Sequence, residues 1–250
     1  MPTSDDARIL ITGARGQIGT ELTTALRTLH GGDRVVVTDV QPLPDHLTAD
    51  GPGERLDVTN RDALAAVVRK HRINTIYHLA AILSATGEEK PRLAWQVNIG
   101  GLTNVLEVAR EEGVVRIYHP SSIAVFGPQT PKDGTPQETV LRPTTMYGIS
   151  KVTGEMLGAY YHQRYGLDVR GIRYPGVISS ETPPGGGTTD YAVEIFYEAI
   201  RHGRYTCFVR EDTVLPMIYM PDCIRATLML MEADASQLKR GLQVARRRPR

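Results

Sequence analysis

Tyr147 and Lys151 bracket the stretch Tyr147-Gly148-Ile149-Ser150-Lys151. Residues four apart lie one turn apart on the same face of a helix. An ammonium group beside a phenol favours the phenolate. A side chain with an ordinary pKa of about 10 can then take a proton nearer neutral pH. This spacing is common by chance, so its weight comes from what else the chain brings to it. Ser121-Ser122 closes an apolar run, and Ser122 precedes Tyr147 by 25 residues. A hydroxyl at Ser122 can orient a substrate alcohol whose proton Tyr147 removes.

A second constellation lies near the N-terminus. Gly13-Ala14-Arg15-Gly16-Gln17-Ile18-Gly19 follows a strand-like run, Arg8 to Thr12, and opens a helical one, Gln17 to Leu29. The glycines permit a tight turn and close approach of the backbone to a pyrophosphate. The helix N-terminus adds amide donors and partial positive charge. The spacing is Gly-x-x-Gly-x-x-Gly, not the Gly-x-Gly-x-x-Gly of the commonest dinucleotide fingerprint. Asp39 ends the second strand-like run, 20 residues after Gly19. Its carboxylate can accept hydrogen bonds from both hydroxyls of a ribose and would repel a 2′-phosphate, which favours NAD over NADP. Asp57 and Val58 are candidates for the adenine edge. Leu79-Ala80-Ala81 offers small residues for close packing on the cofactor. With NAD beside them, Ser122, Tyr147 and Lys151 suit alcohol oxidation. Tyr147 is then the base, and Lys151 holds the nicotinamide ribose while lowering the Tyr147 pKa.

These groups need a scaffold, and apolar runs alternating with helical patterns supply one. Strands are expected at Arg8 to Thr12, Arg34 to Thr38, Thr75 to Leu79, Arg116 to Pro120 and Asp168 to Ile172, with a short run at Glu54 to Leu56. Helices are expected at Gln17 to Leu29, Asp62 to His71, Ala94 to Glu112 and Tyr147 to Tyr165. That order implies right-handed crossovers and a doubly wound parallel α/β sheet of the Rossmann kind. Residues 1–173 would form this cofactor-binding domain, and 174–240 a small substrate lobe over the carboxyl ends of the strands. In the lobe, Tyr174 to Asp190 reads as a long loop, Tyr191 to His202 as a helix, Val214 to Met220 as a strand and Pro221 to Met231 as a helix.

The chain has 250 residues, 41% hydrophobic and 23% charged, as in ordinary globular proteins. It contains no apolar run of about 18 residues, so no membrane span is expected. Met1 to Ala7 is polar and lacks the apolar core of a secretory signal. Two cysteines, Cys207 and Cys223, give neither a disulfide framework nor metal-ligand spacing. A reducing, cytoplasmic compartment and metal-free chemistry are therefore expected. His78 and His119 read as core or strand-end residues. Six of the 29 basic residues fall in the last 12, leaving 23 against 28 acidic ones in the rest. The body is mildly acidic, with no general nucleic-acid footprint.

These motifs resemble the short-chain dehydrogenase/reductase superfamily, in its extended, nucleotide-sugar-epimerase-like branch. The glycine fingerprint, Asp39, Ser122, Tyr147 and Lys151 carry the resemblance. Within it, the chain is most similar to short-chain-type L-threonine 3-dehydrogenases. The matching stretches are His78 to Ala85, Tyr147 to Glu155, Arg173 to Gly176, Pro184 to Val193, Leu215 to Met217 and Pro221 to Cys223. The resemblance implies NAD-dependent oxidation of the C3 hydroxyl of L-threonine to 2-amino-3-oxobutyrate. It implies cofactor contacts at Gly13, Gly16, Gln17, Ile18, Gly19, Asp39, Asp57, Val58, Leu79, Ala80, Ala81, Tyr147, Lys151 and Tyr174. Ser84, Ser122, Tyr147, Thr188 and Thr189 are the implied substrate contacts, beneath a glycine-rich loop that closes over them. A homodimer built on the helices from Ala94 and Tyr147 is expected by the same resemblance.

Two alternatives stay open. One is a nucleotide-sugar 4-epimerase or dehydratase, although Pro175 stands where that group usually carries asparagine. The other is a catalytically silent NAD-binding protein. Gly241 to Arg250 matches nothing expected of the family, which suggests a truncated or frameshifted end carrying a non-native basic tail.

Overall fold

The computed structural model describes residues 6–183 and 185–238; the basic tail, and Pro184 within the glycine-rich loop, lie outside them. The chain builds β1 (Ile9–Thr12), α1 (Gln17–His30), β2 (Val35–Asp39), α2 (Asp45–Thr48), β3 (Gly53–Arg55), α3 (Arg61–His71) and β4 (Thr75–His78). It continues with α4 (Ser84–Glu89), α5 (Pro91–Trp95), a π-helical turn at Gln96–Gly101, α6 (Leu102–Glu111), β5 (Arg116–Tyr118) and β6 (Ser121–Ser122). Then come α7 (Met146–Tyr165), β7 (Asp168–Arg170), β8 (Arg173–Tyr174), β9 (Gly176–Ile178), α8 (Tyr191–His202), β10 (Met217–Tyr219) and α9 (Met220–Glu232).

Six strands form one parallel sheet in the order β3-β2-β1-β4-β5-β7. Their apolar residues alternate between two covered faces. Leu10, Val36, Ile76 and Ile117 face α3, α6 and α7, in a cluster with Leu64, Val68, Val105, Leu106 and Tyr161. Ile9, Ile11, Val35, Val37 and Tyr118 face the other way, packing with Leu22 and Leu26 of α1 and with Met220, Cys223, Ile224 and Met231 of α9. This is the doubly wound architecture, and its strands are apolar throughout because helices bury both faces. Burying each large aliphatic side chain contributes about 1.5–3 kcal/mol. The last helix thus packs beside α1 under the sheet, while Gly176 and Val177 of β9 line the cavity at the strand ends.

Several boundaries differ from the sequence-based expectation. The helix expected from Ala94 to Glu112 is α5 and α6 joined through the π-helical turn. Asn98 explains the insertion. Its Nδ2 donates to the Ile82 carbonyl at 3.0 Å and to Ser150 Oγ at 3.1 Å, and its Oδ1 accepts from Ile82 N at 2.7 Å. The widened turn lets one side chain tie the β4–α4 connection to α7. The long loop from Tyr174 contains β9, which pairs in parallel with β10. The run ending in Ser121-Ser122 splits, because Ser121 and Ser122 leave β5 to pair with Arg173 and Tyr174 of β8.

Candidate active site

The turn between β1 and α1 needs its first and last glycines. Gly13 has φ +71°, and a Cβ there would lie 2.6 Å from Ala80 N. A Cβ on Gly19 would lie 2.5 Å from Gly13 O. Gly16 is the N-cap of α1 and gives it no side-chain hydrogen bond. The nearest atom to a Cβ on Gly16 would be Gly13 O at 3.4 Å, so the space over the first turn of α1 is open. Amides at that turn and the partial positive charge of the helix end can receive an anionic group. Asp39 stands beside this turn. Its Oδ2 accepts from Arg15 N at 3.2 Å and its Oδ1 from Gln41 N at 3.0 Å, which fixes the carboxylate at the strand end. This donor set, open amides followed by a fixed carboxylate, fits a pyrophosphate and an adjoining ribose diol.

Across the strand ends, three consecutive residues hold α7. The Pro120 carbonyl accepts from Lys151 Nζ at 2.8 Å, Ser121 Oγ donates to Glu155 Oε1 at 2.5 Å, and the Ser122 hydroxyl lies close enough to the Tyr147 phenol to favour its ionised form. Thr145 caps α7 by accepting from Gly148 N at 3.1 Å, and Glu88 of α4 accepts from Met146 N at 2.7 Å. Tyr147 is therefore placed by the first turn of a 20-residue helix whose start is bonded from two directions.

The electrostatics differ from the expected tuning. Burial pushes the Tyr147 phenol up to about 12, and the Ser122 hydroxyl opposes that only in part. Lys151 Nζ lies 5.3 Å from the Tyr147 ring centroid, but its hydrogen bond goes to Pro120. Burial pushes Lys151 down to about 8, opposed by the carboxylate of Glu155. Desolvation thus outweighs the lysine's attraction for the phenolate. Behind Lys151 the buried rings of His78 and His119 stack at 5.6 Å. Burial first, and the lysine charge second, hold both histidines neutral, His78 down to about 3.

Every residue expected to touch cofactor or substrate lines one cavity of about 680 Å³. Gly13, Gly16, Gln17, Ile18 and Gly19 line one end of it with Asp39, Asp57 and Val58, and Leu79, Ala80 and Ala81 form the strand-end wall. Ser84, Ser122, Tyr147, Lys151, Thr188 and Thr189 surround the other end. Two members are engaged in ways the sequence does not display. Asp57 Oδ1 accepts from Thr59 N at 2.9 Å and Thr59 Oγ1 at 2.7 Å, closing a local turn. Tyr174 borders the cavity, but its hydroxyl is bonded to Tyr118 and Thr227 in the core, so only its other atoms are available.

The glycine-rich loop forms the roof. Asp190 Oδ2 accepts from Gly186 N at 2.8 Å and Gly187 N at 2.6 Å, and Ala85 N donates to Gly186 O at 3.2 Å. Gly186, at φ +97°, makes the bend. Asp190 also lines the cavity, and its pKa is raised by burial. Sequence reasoning missed Asp190, Asn98 and Glu155 as organisers of the site. The first directly follows Thr188-Thr189, whereas the other two have no local signature, because their partners are 16–52 and 18–34 residues away. Among the described residues no three His, Cys, Asp or Glu side chains come together as a metal site, and no helix is long and apolar enough to cross a membrane.

Comparison with known proteins fits this geometry. A GalE-like L-threonine dehydrogenase from Cupriavidus necator, in its holo form, is 53% identical, with a TM-score of 0.90 over 95% of this chain and 77% of that one. A monomeric L-threonine 3-dehydrogenase from a metagenome is 47% identical, with a TM-score of 0.89 over 94% of this chain and 75% of that one. An uncharacterised epimerase/dehydratase of Staphylococcus haemolyticus is 53% identical over 232 residues, 92% of this chain and 73% of the relative. The model of the NAD dependent epimerase/dehydratase family matches residues 9–245. The chain belongs to that family.

Proposed function

We propose that this protein is an NAD-dependent L-threonine 3-dehydrogenase. The observation that carries the proposal is the meeting, in one cavity, of the Ser122/Tyr147/Lys151 set, the Asp39-flanked glycine turn and the Thr188-Thr189 roof. Solved relatives bearing that activity in their names, at 53% and 47% identity, support it. NAD would lie with its pyrophosphate at the first turn of α1, its adenosine ribose at Asp39 and its adenine near Asp57 and Val58. When bound it supplies the acceptor for the two electrons that leave C3.

The chain's own residues do the remainder. Ser84, Thr188 and Thr189 hold the ammonium and carboxylate of the amino acid. Ser122 orients the C3 hydroxyl, and the Tyr147 phenolate takes its proton. Lys151 keeps a positive charge beneath the phenolate and meets the nicotinamide ribose. The roof at Gly185 to Asp190 excludes water. Residues 1–173 then serve the cofactor and 174–240 the substrate, with α9 shared between them. Cys207 and Cys223 are free thiols, consistent with a cytoplasmic setting.

We also infer a homodimer through α5 and α7. Ile149, Met156 and Tyr160 form one exposed stripe on α7, Met156 at 66% exposure, and Leu93 and Trp95 are exposed on α5. Sedimentation at micromolar concentration decides between that and a monomer.

The test of activity is direct. Purified protein mixed with NAD and L-threonine produces NADH, and Tyr147→Phe removes that activity while the folded far-UV signal stays. Epimerisation of UDP-galactose without threonine oxidation would instead support the nucleotide-sugar alternative. Failure to bind NAD would overturn both readings.

A further inference from the structure

Tyr147, Lys151 and Glu155 recur at four-residue intervals on one face of α7. Each meets one of the three residues Pro120, Ser121 and Ser122. Two of those pairings belong to the chemistry proposed above, and the third has no assigned role. The Glu155 side chain is 13% exposed, yet it is a carboxylate with a dense set of partners. Oε1 accepts from Ser121 Oγ at 2.5 Å and from Arg173 Nε at 2.7 Å, and Oε2 accepts from Arg173 Nη2 at 2.7 Å. Arg173 is itself fixed, with its guanidinium 5.4 Å over the Phe126 ring and Nη1 donating to the Gln137 carbonyl at 2.8 Å. Ser121 and Arg173 are paired neighbours on β6 and β8. One carboxylate therefore joins α7 to both strands of the small ladder that carries Ser122.

We propose that Glu155 is a positioning residue for the Ser122/Tyr147/Lys151 set: it locks the register of α7 against Pro120-Ser121-Ser122 and is the counter-charge that keeps Lys151 an ammonium ion. The role rests on the reading of Tyr147 as base. Burying a charged lysine is costly unless an opposite charge lies near. The groups facing Lys151 are few. Tyr147 and Glu155 share its helix, His78 and His119 lie on the strand side and are held neutral, and Arg173 is bonded to Glu155. Among these, the Glu155 carboxylate is the one that favours the charged lysine. The Arg173 cation is bonded to both oxygens of that carboxylate and so screens the field Glu155 presents to Lys151, and removing one or the other residue is expected to shift Lys151 in opposite directions.

This opposition gives a test that a purely structural role does not pass. Lys151 titrates near 8 and Tyr147 near 12, so the working form, phenolate with ammonium, is a minor species whose population levels off above about pH 8. Glu155→Gln keeps an oxygen acceptor for Ser121 and removes the charge. The expected result is that the break in log kcat/KM moves down by about one pH unit and the plateau falls about tenfold. Arg173→Gln moves the break upward. The Lys151 signal in a 13Cε-lysine NMR titration, assigned through Lys151→Arg, follows the same two directions without any substrate. That titration still decides the role of Glu155 if L-threonine is not oxidised, which separates its failure from failure of the dehydrogenase reading. Thermal unfolding identifies a variant that does not fold, and the remaining variant then carries the comparison. An unmoved break and an unmoved lysine titration in folded variants overturn the proposal, as does a shift of the same sign in both.

Discussion

The floor and the roof of the cavity are built by different means. On the floor, Tyr147 and Lys151 are held by a long capped helix bonded to the buried strand ends, Lys151 to the Pro120 carbonyl and Glu155 to Ser121, beside Ser122. The roof at Gly186-Gly187 is backbone tied by the Asp190 carboxylate and by backbone bonds from Asp190 N and Ala85 N. A group that must transfer a proton has to be placed to within a fraction of an ångström, and helices against a packed sheet can do that. A cover that must open for substrate needs only weak, local ties. Changes to the floor are accordingly expected to act on kcat, and changes to the roof on KM.

The largest effect is expected at the floor. Tyr147→Phe keeps the ring and removes the proton acceptor, so kcat for threonine oxidation falls at least about a thousandfold, within the range of a lost general base. NADH binding, followed by fluorescence quenching, stays within a few-fold. A parallel loss of NADH binding would mean that Tyr147 builds the cofactor site and does not act as the base.

At the nucleotide end of the floor, Gly19→Val drives a branched side chain into Gly13 O and Ala14. Overpacking of about 1–3 kcal/mol lowers Tm by several degrees and weakens NAD binding at least about tenfold. The matching change at the roof, Gly185→Ala, meets only Leu83 at 3.5 Å and leaves both properties near wild type. Equal effects at the two positions would erase the distinction between floor and roof.

pH sharpens the comparison, because the titrating pair belongs to the floor. Burial raises Tyr147 to about 12 and lowers Lys151 to about 8. Below about 8 the lysine is already charged, so each added pH unit yields about tenfold more phenolate. Above it, loss of the ammonium cancels the gain. The logarithm of kcat/KM for L-threonine therefore rises with unit slope through neutrality and levels off near pH 8. A rate that falls from pH 6 to 8 contradicts this assignment. In stability terms the signs oppose. Lys151 has its folded pKa lowered, so its burial costs stability below its unfolded value near 10.5, increasingly so down to about 8. Tyr147 is raised, so its contribution is intact below its unfolded value near 10 and is lost progressively as pH rises from there to about 12.

The smallest effect belongs to the roof. Asp190→Asn weakens two charge-assisted bonds to Gly186 and Gly187 by about 1 kcal/mol, which raises KM for threonine roughly fivefold and changes kcat less than about twofold. Steady-state kinetics at saturating NAD measures it. A large loss of kcat with unchanged KM would move Asp190 from the roof to the floor.

Much of this molecule was legible in the order of its residues. The alternation of apolar runs with helical periods implied the doubly wound sheet, because a strand covered on both faces must be apolar throughout. Asp39 could be placed at the end of β2, and Gly13 to Gly19 at the β1–α1 turn, since strand, turn and helix are local events. The helix from Tyr147 was visible to within a residue, and its spacing set Tyr147 and Lys151 on one face whatever surrounds them. Tertiary structure alone decided the rest. It set the strand order, the π-helical turn that lets Asn98 reach Ile82 and Ser150, and the return of α9 beneath the sheet beside α1. It turned the Tyr174 hydroxyl into the core, away from the cavity. It also reversed the expected electrostatics of the Tyr147/Lys151 pair. Spacing along a helix reports that two charges can approach, whereas their protonation depends on how much water and which counter-charges the packed chain leaves around them, and those come from residues distant in sequence.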